Sequence, residues 1–264
     1  MKNLCFIFFL SVLVNSCQIL NPKINSRPIN MYPPKNIKIK FQQDWQYNLY
    51  HKRIIDFKKF PIGFKKIVFL GNSITEGARS WNKRLNQRNI VNRGISGDIT
   101  EGVLERLGEI YYYKPLAVFI LIGINDLFDT NIENGDLINP KYVANNIINI
   151  AKNIKAESIH TSIYIQTILP VNLDMYELVK NIKLEREKDL NKQIIETNTM
   201  LKTVELPLGI YIIDTHKEFL DNDNNLNEIY SSDGVHLNEE GYKIWTSLLS
   251  DEVESINKRY TNPN

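Results

Sequence analysis

The protein has 264 residues, 43% of them hydrophobic and 23% charged, a composition that is ordinary for globular domains and excludes a disordered, collagen-like or repeat-built body. The net charge of +2 is unevenly placed, because residues 1–60 hold ten basic and two acidic residues whereas residues 61–264 hold 22 basic and 28 acidic ones. An acidic body argues against a nucleic-acid partner, which requires a basic surface on the folded part.

The first residues have the pattern of an export signal. A short positive start, Met1 to Asn3, precedes an apolar run from Leu4 to Val14 that only Ser11 interrupts. Eleven residues are too few to span a bilayer, which takes about 20, but they fit the core of a signal peptide. We therefore predict a signal peptide over residues 1–16.

Both cysteines, Cys5 and Cys17, lie within the first 17 residues, so the body has no thiol nucleophile and no disulfide. The end of the apolar run, Val14-Asn15-Ser16-Cys17, resembles a bacterial lipobox, and the resemblance implies that Cys17 becomes a lipidated N-terminus. Ordinary cleaved secretion and a buried N-terminal helix are the alternatives. Residues 17–43, with prolines among polar and basic residues, indicate a tether beside anionic headgroups. We expect an exported lipoprotein on the periplasmic or cell-surface side of a membrane.

The body, residues 44–264, alternates helical patterns with short apolar runs. A leading helix is predicted from Asp44 to Lys59, before Pro61 and Gly63. The apolar runs lack in-out alternation, which is typical of parallel strands buried on both faces; they are Ile67–Leu70, Ile90–Asn92, Ala117–Ile122, Ser162–Ile168 and Ile210–Asp214. Helical patterns follow at about 78–88, 99–110, 140–156, 182–203 and 238–257. This alternation predicts a flavodoxin-like, three-layer α/β/α domain with a parallel sheet of about five strands.

In such a sheet, ligands bind beyond the carboxyl ends of the strands, near the point where strand order reverses. Gly71-Asn72-Ser73 follows the first strand and places a serine at a strand-to-helix turn, although Ser73 and Glu76 also fit a helix capping box. Gly123-Ile124-Asn125 follows the third strand. Asn125 can aim its amide into the same crevice, or it can be an ordinary turn residue.

Two further segments carry candidate residues. Asn92-Arg93-Gly94-Ile95-Ser96-Gly97-Asp98 follows the second strand, and its glycines let backbone N–H groups approach a ligand. Asp233-Gly234-Val235-His236 precedes the last helix, so Asp233 can hold the His236 ring in one tautomer and leave Nε2 free as a base. A tight turn followed by a surface histidine is the alternative.

The four segments, in this order, resemble the SGNH (GDSL-like) hydrolase family over about residues 65–249. The resemblance is nearest to the branch of platelet-activating-factor acetylhydrolase subunits and sialate O-acetylesterase-like proteins. It implies that Ser73 is the nucleophile and that Asp233 and His236 complete a catalytic triad. It also implies an oxyanion hole formed by the N–H of Ser73, the N–H of Gly94 and the side chain of Asn125.

The family usually has an aspartate where this chain has Asn72, which keeps the hydrogen-bonding shape but loses the charge. The resemblance implies a serine ester hydrolase that removes a small O-acyl group, such as acetyl, from a carbohydrate, with no metal or organic cofactor. A calcium loop over residues 221–232 is rejected, because Leu226 replaces the required glycine and Ser232 the required glutamate. A lysophospholipase or thioesterase, and a noncatalytic glycan-binding lipoprotein, are the alternatives; the oligomeric state is open.

Overall fold

The computed structural model describes residues 31–128, 138–184 and 189–261, and its centre is a five-stranded sheet. The strands are β1 (Ile67–Gly71), β2 (Ile90–Gly94), β3 (Ala117–Leu121), β4 (Ser162–Gln166) and β5 (Ile210–Ile213). All neighbours are parallel, in the order β2-β1-β3-β4-β5. The order therefore reverses between β1 and β3, and the predicted three-layer fold is confirmed.

Helices flank the sheet. The longer ones are α1 (Asp44–Lys59), α7 (Pro140–Glu157), α8 (Leu173–Lys180), α9 (Leu190–Thr203) and α10 (Glu239–Thr261). The shorter ones are α2 (Ser73–Gly77), α3 (Trp81–Arg84), α4 (Thr100–Glu105), α5 (Gly108–Tyr113) and α6 (Ile124–Phe128). Across the described part of the chain, none of the helices has the length and apolar character that crossing a bilayer requires.

One face of the sheet carries a row of aromatic rings. Phe69, Phe119, Tyr164 and Tyr211 occupy aligned positions on β1, β3, β4 and β5, and successive ring centroids lie 4.6–5.2 Å apart. Trp81 stacks on Phe69 at 3.9 Å, so the row extends onto α3. Each such pair is worth about 0.5–1.5 kcal/mol beyond its buried area, so the row ties the strands to one another. Trp245 of α10 meets Trp81 edge-on and closes this face.

The opposite face is covered by α7, whose buried residues recur at helical spacing, among them Val143, Ile147, Ile150 and Ile154. Helix α7 packs in turn against α9 and α4. Asn139 caps α7 by accepting a hydrogen bond from the N–H of Tyr142, and Pro140 occupies the first turn, where it leaves no hydrogen bond unmade.

The N-terminal segment, residues 31–59, packs on the sheet domain. Residues 31–43 belong to the stretch that composition indicates as a tether, yet Met31 and Ile39 are buried. Ile39 joins Tyr50, Ile54 and Phe57 of α1 in a small apolar cluster that also includes Ile95 and Ile99 of the loop after β2. The leading helix Asp44–Lys59 is found as predicted. Residues 1–30, including Cys17, lie outside the described part of the chain.

Three predicted helices differ from the observed ones. The pattern at 78–88 forms only the single turn α3, and the pattern at 99–110 is divided into α4 and α5 at Arg106, whose side chain turns inward to a buried partner. The pattern at 182–203 begins late, at α9, because Asp189 caps the helix there. Helices α2, α6 and α8 are absent from the predicted elements; two of them are only five residues long.

Candidate active site

Ser73 is the first residue of α2, directly after the carboxyl end of β1. The turn is tight: a Cβ on Gly71 would lie 2.2 Å from the carbonyl oxygen of Leu121, so only glycine fits. The cap of α2 is Asn72, whose side-chain oxygen accepts a hydrogen bond from the N–H of Ile74 at 3.0 Å. The capping-box interpretation of Ser73 is therefore wrong. The amide of Asn72 braces the turn, and the Ser73 hydroxyl is free for another partner.

That partner is His236. Ser73 Oγ lies 3.0 Å from His236 Nε2, and His236 Nδ1 lies 2.9 Å from Asp233 Oδ2. The other oxygen of Asp233 accepts hydrogen bonds from the N–H groups of Val235 and His236, so the carboxylate and the ring are held by one short turn. The structure thus brings together the three residues that the sequence predicts as a triad, and a serine in this position can pass its proton to the imidazole.

Lys180 is a fourth member of this group that sequence reasoning missed. Its ammonium at the end of α8 lies 2.9 Å from Asp233 Oδ2, the same atom that faces the His236 ring. Burial by itself would raise the pKa of Asp233, but hydrogen bonds from His236 and Lys180 outweigh it and hold that pKa well below its usual range. Asp233 therefore remains a carboxylate at pH values below the ordinary pKa of an aspartate.

The glycine after β2 that lines the cleft with Ser73 is not the predicted one. Gly94 does not contribute: its N–H donates to the Asn92 side chain at 2.9 Å, and a Cβ there would lie 2.2 Å from the Glu76 backbone nitrogen. Gly97, three residues later, lines the cleft beside Ser73. Within the described residues no hydrogen bond uses the N–H of Ser73 or of Gly97. The signal for Gly97 in the sequence is its place in Ser-Gly-Asp, a turn in which it adopts φ +77°.

Asn125 stands where the sequence predicts it, on the first turn of α6, and lines the same cleft. Its side-chain nitrogen donates to the carbonyl oxygen of Asp98 at 2.9 Å, which orients the amide and leaves its second hydrogen for a ligand. Ser73, Gly97 and Asn125 therefore present three donors at one end of the cleft, an arrangement that can stabilise a developing oxyanion.

A buried ion pair supports the loop after β2. Arg106 contacts Asp98 Oδ2 at 2.8 Å, and the same guanidinium donates to the carbonyl oxygens of Arg93 and Gly71. One side chain therefore fixes the ends of β1 and β2 and the start of the glycine-containing turn. Burial raises the pKa of Asp98 to about 6, and the contact with Arg106 opposes that rise.

A second buried carboxylate holds the loop after β3. Asp126 accepts hydrogen bonds from the N–H of Thr100 at 3.1 Å and from its hydroxyl at 2.5 Å. Burial raises the pKa of Asp126 to about 7, the nearby Asp98 adds to that rise, and the hydrogen bonds from Thr100 oppose it. Asn125 and the start of α4 are thereby joined.

The cleft has a volume of about 480 Å³ and opens beside Ser73. Its polar lining includes Gln43, Ser96 and Asn125, and its apolar lining includes Trp45 and Tyr176. Two of the amide side chains that line the cleft, Gln43 and Gln46, come from the N-terminal segment, which no sequence motif connects with the site.

Glu76 links α1 to the loop after β2. Its carboxylate accepts hydrogen bonds from the N–H and hydroxyl of Ser96 and pairs with Arg53 of α1 at 3.0 Å.

A family model of GDSL-like lipases/acylhydrolases matches residues 69–244. Solved structures with a similar fold include a GDSL-like lipase from Bacteroides thetaiotaomicron, at 24% identity and a TM-score of 0.63 over 78% of this chain and 97% of that one. A lipase/acylhydrolase from Enterococcus faecalis is similar at 22% identity and a TM-score of 0.53, over 73% and 96% of the two chains. A variant of a Geobacillus acetyl-xylooligosaccharide esterase is similar at 18% identity and a TM-score of 0.55, over 74% and 96%.

No protein among those with curated functions matches the sequence significantly. The structural likenesses show the fold, and the family match covers the turn at Ser73, the loops after β2 and β3 and the turn that carries Asp233 and His236. The chain belongs to the GDSL-like lipase/acylhydrolase family, and it is a carboxylic ester hydrolase.

Proposed function

We propose that the chain is a serine esterase in which Ser73, His236 and Asp233 form the catalytic triad. The observation that carries the proposal is the continuous line of contacts from Ser73 Oγ through His236 to Asp233, 3.0 Å and 2.9 Å long. Both distances are within hydrogen-bond reach.

The reaction proceeds through an acyl-enzyme. His236 Nε2 takes the proton of Ser73 Oγ as that oxygen attacks the ester carbonyl, and Asp233 stabilises the imidazolium that forms. The N–H groups of Ser73 and Gly97 and the amide of Asn125 donate to the oxyanion. His236 then gives its proton to the departing alcohol. A water molecule, deprotonated by the same ring, releases the acid and regenerates the serine.

We propose a small acyl group, such as acetyl, on a carbohydrate as the substrate. The amide side chains of Gln43, Gln46 and Asn125 line the cleft together with the aromatic rings of Trp45, Phe128 and Tyr176. Two structures of similar fold are an acetyl xylan esterase and an acetyl-xylooligosaccharide esterase, both below 20% identity. A sugar ring offers apolar C–H faces and hydroxyl groups, which match aromatic and amide side chains.

The reaction is tested by hydrolysis of 4-nitrophenyl esters of increasing acyl length. We expect the acetate to be the best substrate, Ser73→Ala to abolish release of nitrophenol, and Ser250→Ala, at an exposed serine of α10, to match the wild type. Equal rates for the wild type and Ser73→Ala would contradict the proposal and favour a noncatalytic glycan-binding protein. Rates that rise with acyl length would favour the lysophospholipase or thioesterase alternative.

We also propose that the protein is exported and anchored through Cys17 by a lipid, with residues 1–16 removed and the following residues forming the tether. The support is the short apolar run and the Val14-Asn15-Ser16-Cys17 motif. Mass spectrometry of the protein isolated from membranes tests the proposal. We expect an N-terminal diacylglyceryl cysteine at Cys17, and we expect Cys17→Ala to lose its association with the membrane. Any other mature N-terminus contradicts the proposal, and so does a Cys17→Ala variant that stays at the membrane.

A further inference from the structure

The N-terminal segment, residues 31–59, precedes the family match at residue 69, yet it reaches the proposed active site. Tyr50 donates to the carbonyl oxygen of Gly102, and Arg53 pairs with Glu76 and donates to the carbonyl oxygen of Gly94. Both sides of the nucleophile region, α2 and the loop after β2, are therefore in contact with α1. These contacts fix the first turn of α1 at the rim of the cleft.

Trp45, on that first turn, packs against the turn that carries the Gly97 N–H. A Cβ on Gly97 would lie 2.5 Å from a ring carbon of Trp45 and 3.3 Å from Gln46. The ring therefore lies directly beside the proposed oxyanion hole. Half of the Trp45 surface, 51%, is nevertheless exposed, and it faces the cleft that Ser73 opens into.

The position of the Trp45 ring is fixed before any ligand arrives. Its Nε1–H donates to Gln43 Oε1 at 2.8 Å, and Gln46 Oε1 accepts from the N–H of Gln43 at 2.7 Å. The polar atom of the indole is thus satisfied by its own helix, and the aromatic surface is what remains for a ligand. A ring held in place binds with less loss of side-chain entropy than a mobile one.

A second aromatic side chain lies beside the other catalytic loop. Asn172, which caps α8, donates its N–H to the carbonyl oxygen of Gly234 at 2.8 Å and so joins α8 to this loop. The ring of Tyr176, on the first turns of α8, meets Phe128 edge-on. Tyr176 and Trp45 both line the cleft, one beside the turn of Asp233 and His236 and one beside Gly97. The cleft that Ser73 lines therefore has aromatic side chains from two helices, α1 and α8, and the amide groups of Gln43 and Asn125 in its wall.

We infer that Trp45 is a substrate-binding residue of this enzyme: the helix α1 supplies an aromatic platform on which the ring of a pyranose acceptor rests while its acetyl group lies at Ser73. The inference rests on the proposed esterase function and names the group that the N-terminal segment recognises. A cleft of about 480 Å³ accommodates a sugar ring together with its acetyl group.

The test compares two acetate esters, an acetylated methyl xylopyranoside and ethyl acetate, which share the acyl group but differ in the presence of a sugar ring. We expect the wild type to prefer the pyranoside, and Trp45→Ala to lower that preference, as the ratio of kcat/KM values, by about tenfold through a higher KM. Trp45→Phe, which keeps an aromatic face, is expected to recover most of it. Ile55→Ala, at an equally exposed position of the same helix that does not line the cleft, is the matched control.

The outcomes separate the inference from the function on which it rests. If Trp45→Ala hydrolyses ethyl acetate and prefers the pyranoside as strongly as the wild type does, the inference about Trp45 is wrong and the proposed esterase function stands. An equal loss on both esters, with Trp45→Phe no better than Trp45→Ala, also overturns the inference about Trp45, because the ring then serves only to pack the Gly97 turn. Failure of the wild type to hydrolyse either ester overturns the proposed function itself, and the platform with it. If Trp45→Ala does not fold, the KM for the pyranoside is compared between Trp45→Phe and Trp45→Leu. Only the leucine variant lacks an aromatic face, so the inference requires a higher KM in Trp45→Leu, and equal values contradict it.

Discussion

Lys180 and Asp233, the carboxylate of the proposed triad, form an ion pair of 2.9 Å, although the two residues come from separate elements 53 positions apart. The ammonium faces the same oxygen that lies beside His236 Nδ1. Lys180 and the His236 ring therefore share one carboxylate oxygen, and both contribute to the low pKa of Asp233. Lys180 is a positioning residue, since it does not line the cleft beside Ser73.

We predict that Lys180→Met raises the pKa of Asp233, because the ammonium is one of the donors that hold this pKa below its usual range. The hydrogen bonds from His236 remain, so the pKa stays below the usual value for a carboxyl group. NMR titration of the Asp233 side-chain carboxyl carbon measures the change. Lys202→Met, at an equally exposed lysine paired with Asp214 at 3.1 Å, is the control and should leave the titration of Asp233 in place. Coincident titrations for the wild type and Lys180→Met would rule out this role.

Asn125→Ala is expected to lower kcat by about 10²–10³, the usual effect of losing one oxyanion donor. The substrate KM should change little, because the donor acts on charge that develops only in the transition state. Steady-state kinetics with 4-nitrophenyl acetate measures the effect, and a thermal melt confirms that the variant is folded. A folded variant with wild-type kcat would remove Asn125 from the oxyanion hole.

Asp126 makes the stability of the protein depend on pH. Its pKa of about 7 in the folded state exceeds its ordinary value of 3.8, so the folded state keeps a proton that the unfolded chain has released. The free energy of unfolding therefore falls as the pH rises from about 4 to about 7. Asp126→Asn keeps an oxygen for Thr100 and lacks this dependence. The Tm of Asp126→Asn minus that of the wild type is expected to be higher at pH 8 than at pH 4.5, by at least about 2–4 °C. A Tm difference that is constant over this interval would contradict the assignment.

Arg106→Met is expected to destabilise the protein by about 3–5 kcal/mol, because it leaves Asp98 buried without its partner and frees two backbone carbonyl oxygens. Urea unfolding measures the change. Lys243→Met removes an exposed pair with Glu240 and should leave the midpoint unchanged. Residual activity is expected to fall with stability, since Arg106 holds the ends of β1 and β2 that carry the site. A loss as small as that of the control would show that the buried pair is replaceable.

The strands were predictable because each is an apolar run without alternation, and all five lie within two residues of the expected positions. Ser73 and Asn125 were predictable because they follow strands whose carboxyl ends meet at one edge of the sheet. Asp233 and His236 were predictable because their spacing lets the carboxylate hold the ring, as it does at 2.9 Å. The interruption at Arg106 was not, because it depends on a buried partner eight residues away rather than on local helix propensity.

The choice between Gly94 and Gly97 shows where sequence reasoning fails. Gly94 is the last residue of β2, and its N–H donates to the Asn92 side chain. Gly97 lies in the loop that follows, at φ +77°, and lines the cleft. Lys180 and Trp45 come from elements that carry no motif, and only the packing of α8 and α1 brings them to the site.

The three tryptophans of the chain occupy two kinds of surroundings. Trp81 and Trp245 are buried against each other under the aromatic row, whereas Trp45 is half in solvent at the cleft. Indole fluorescence in an apolar interior lies at shorter wavelength than in water, so the native protein carries two optical signals without any label. Unfolding shifts the emission of the buried pair to longer wavelength, while a molecule that covers Trp45 protects the red edge of the spectrum from a soluble quencher. Folding and occupancy of the cleft can therefore be followed separately in one unmodified sample.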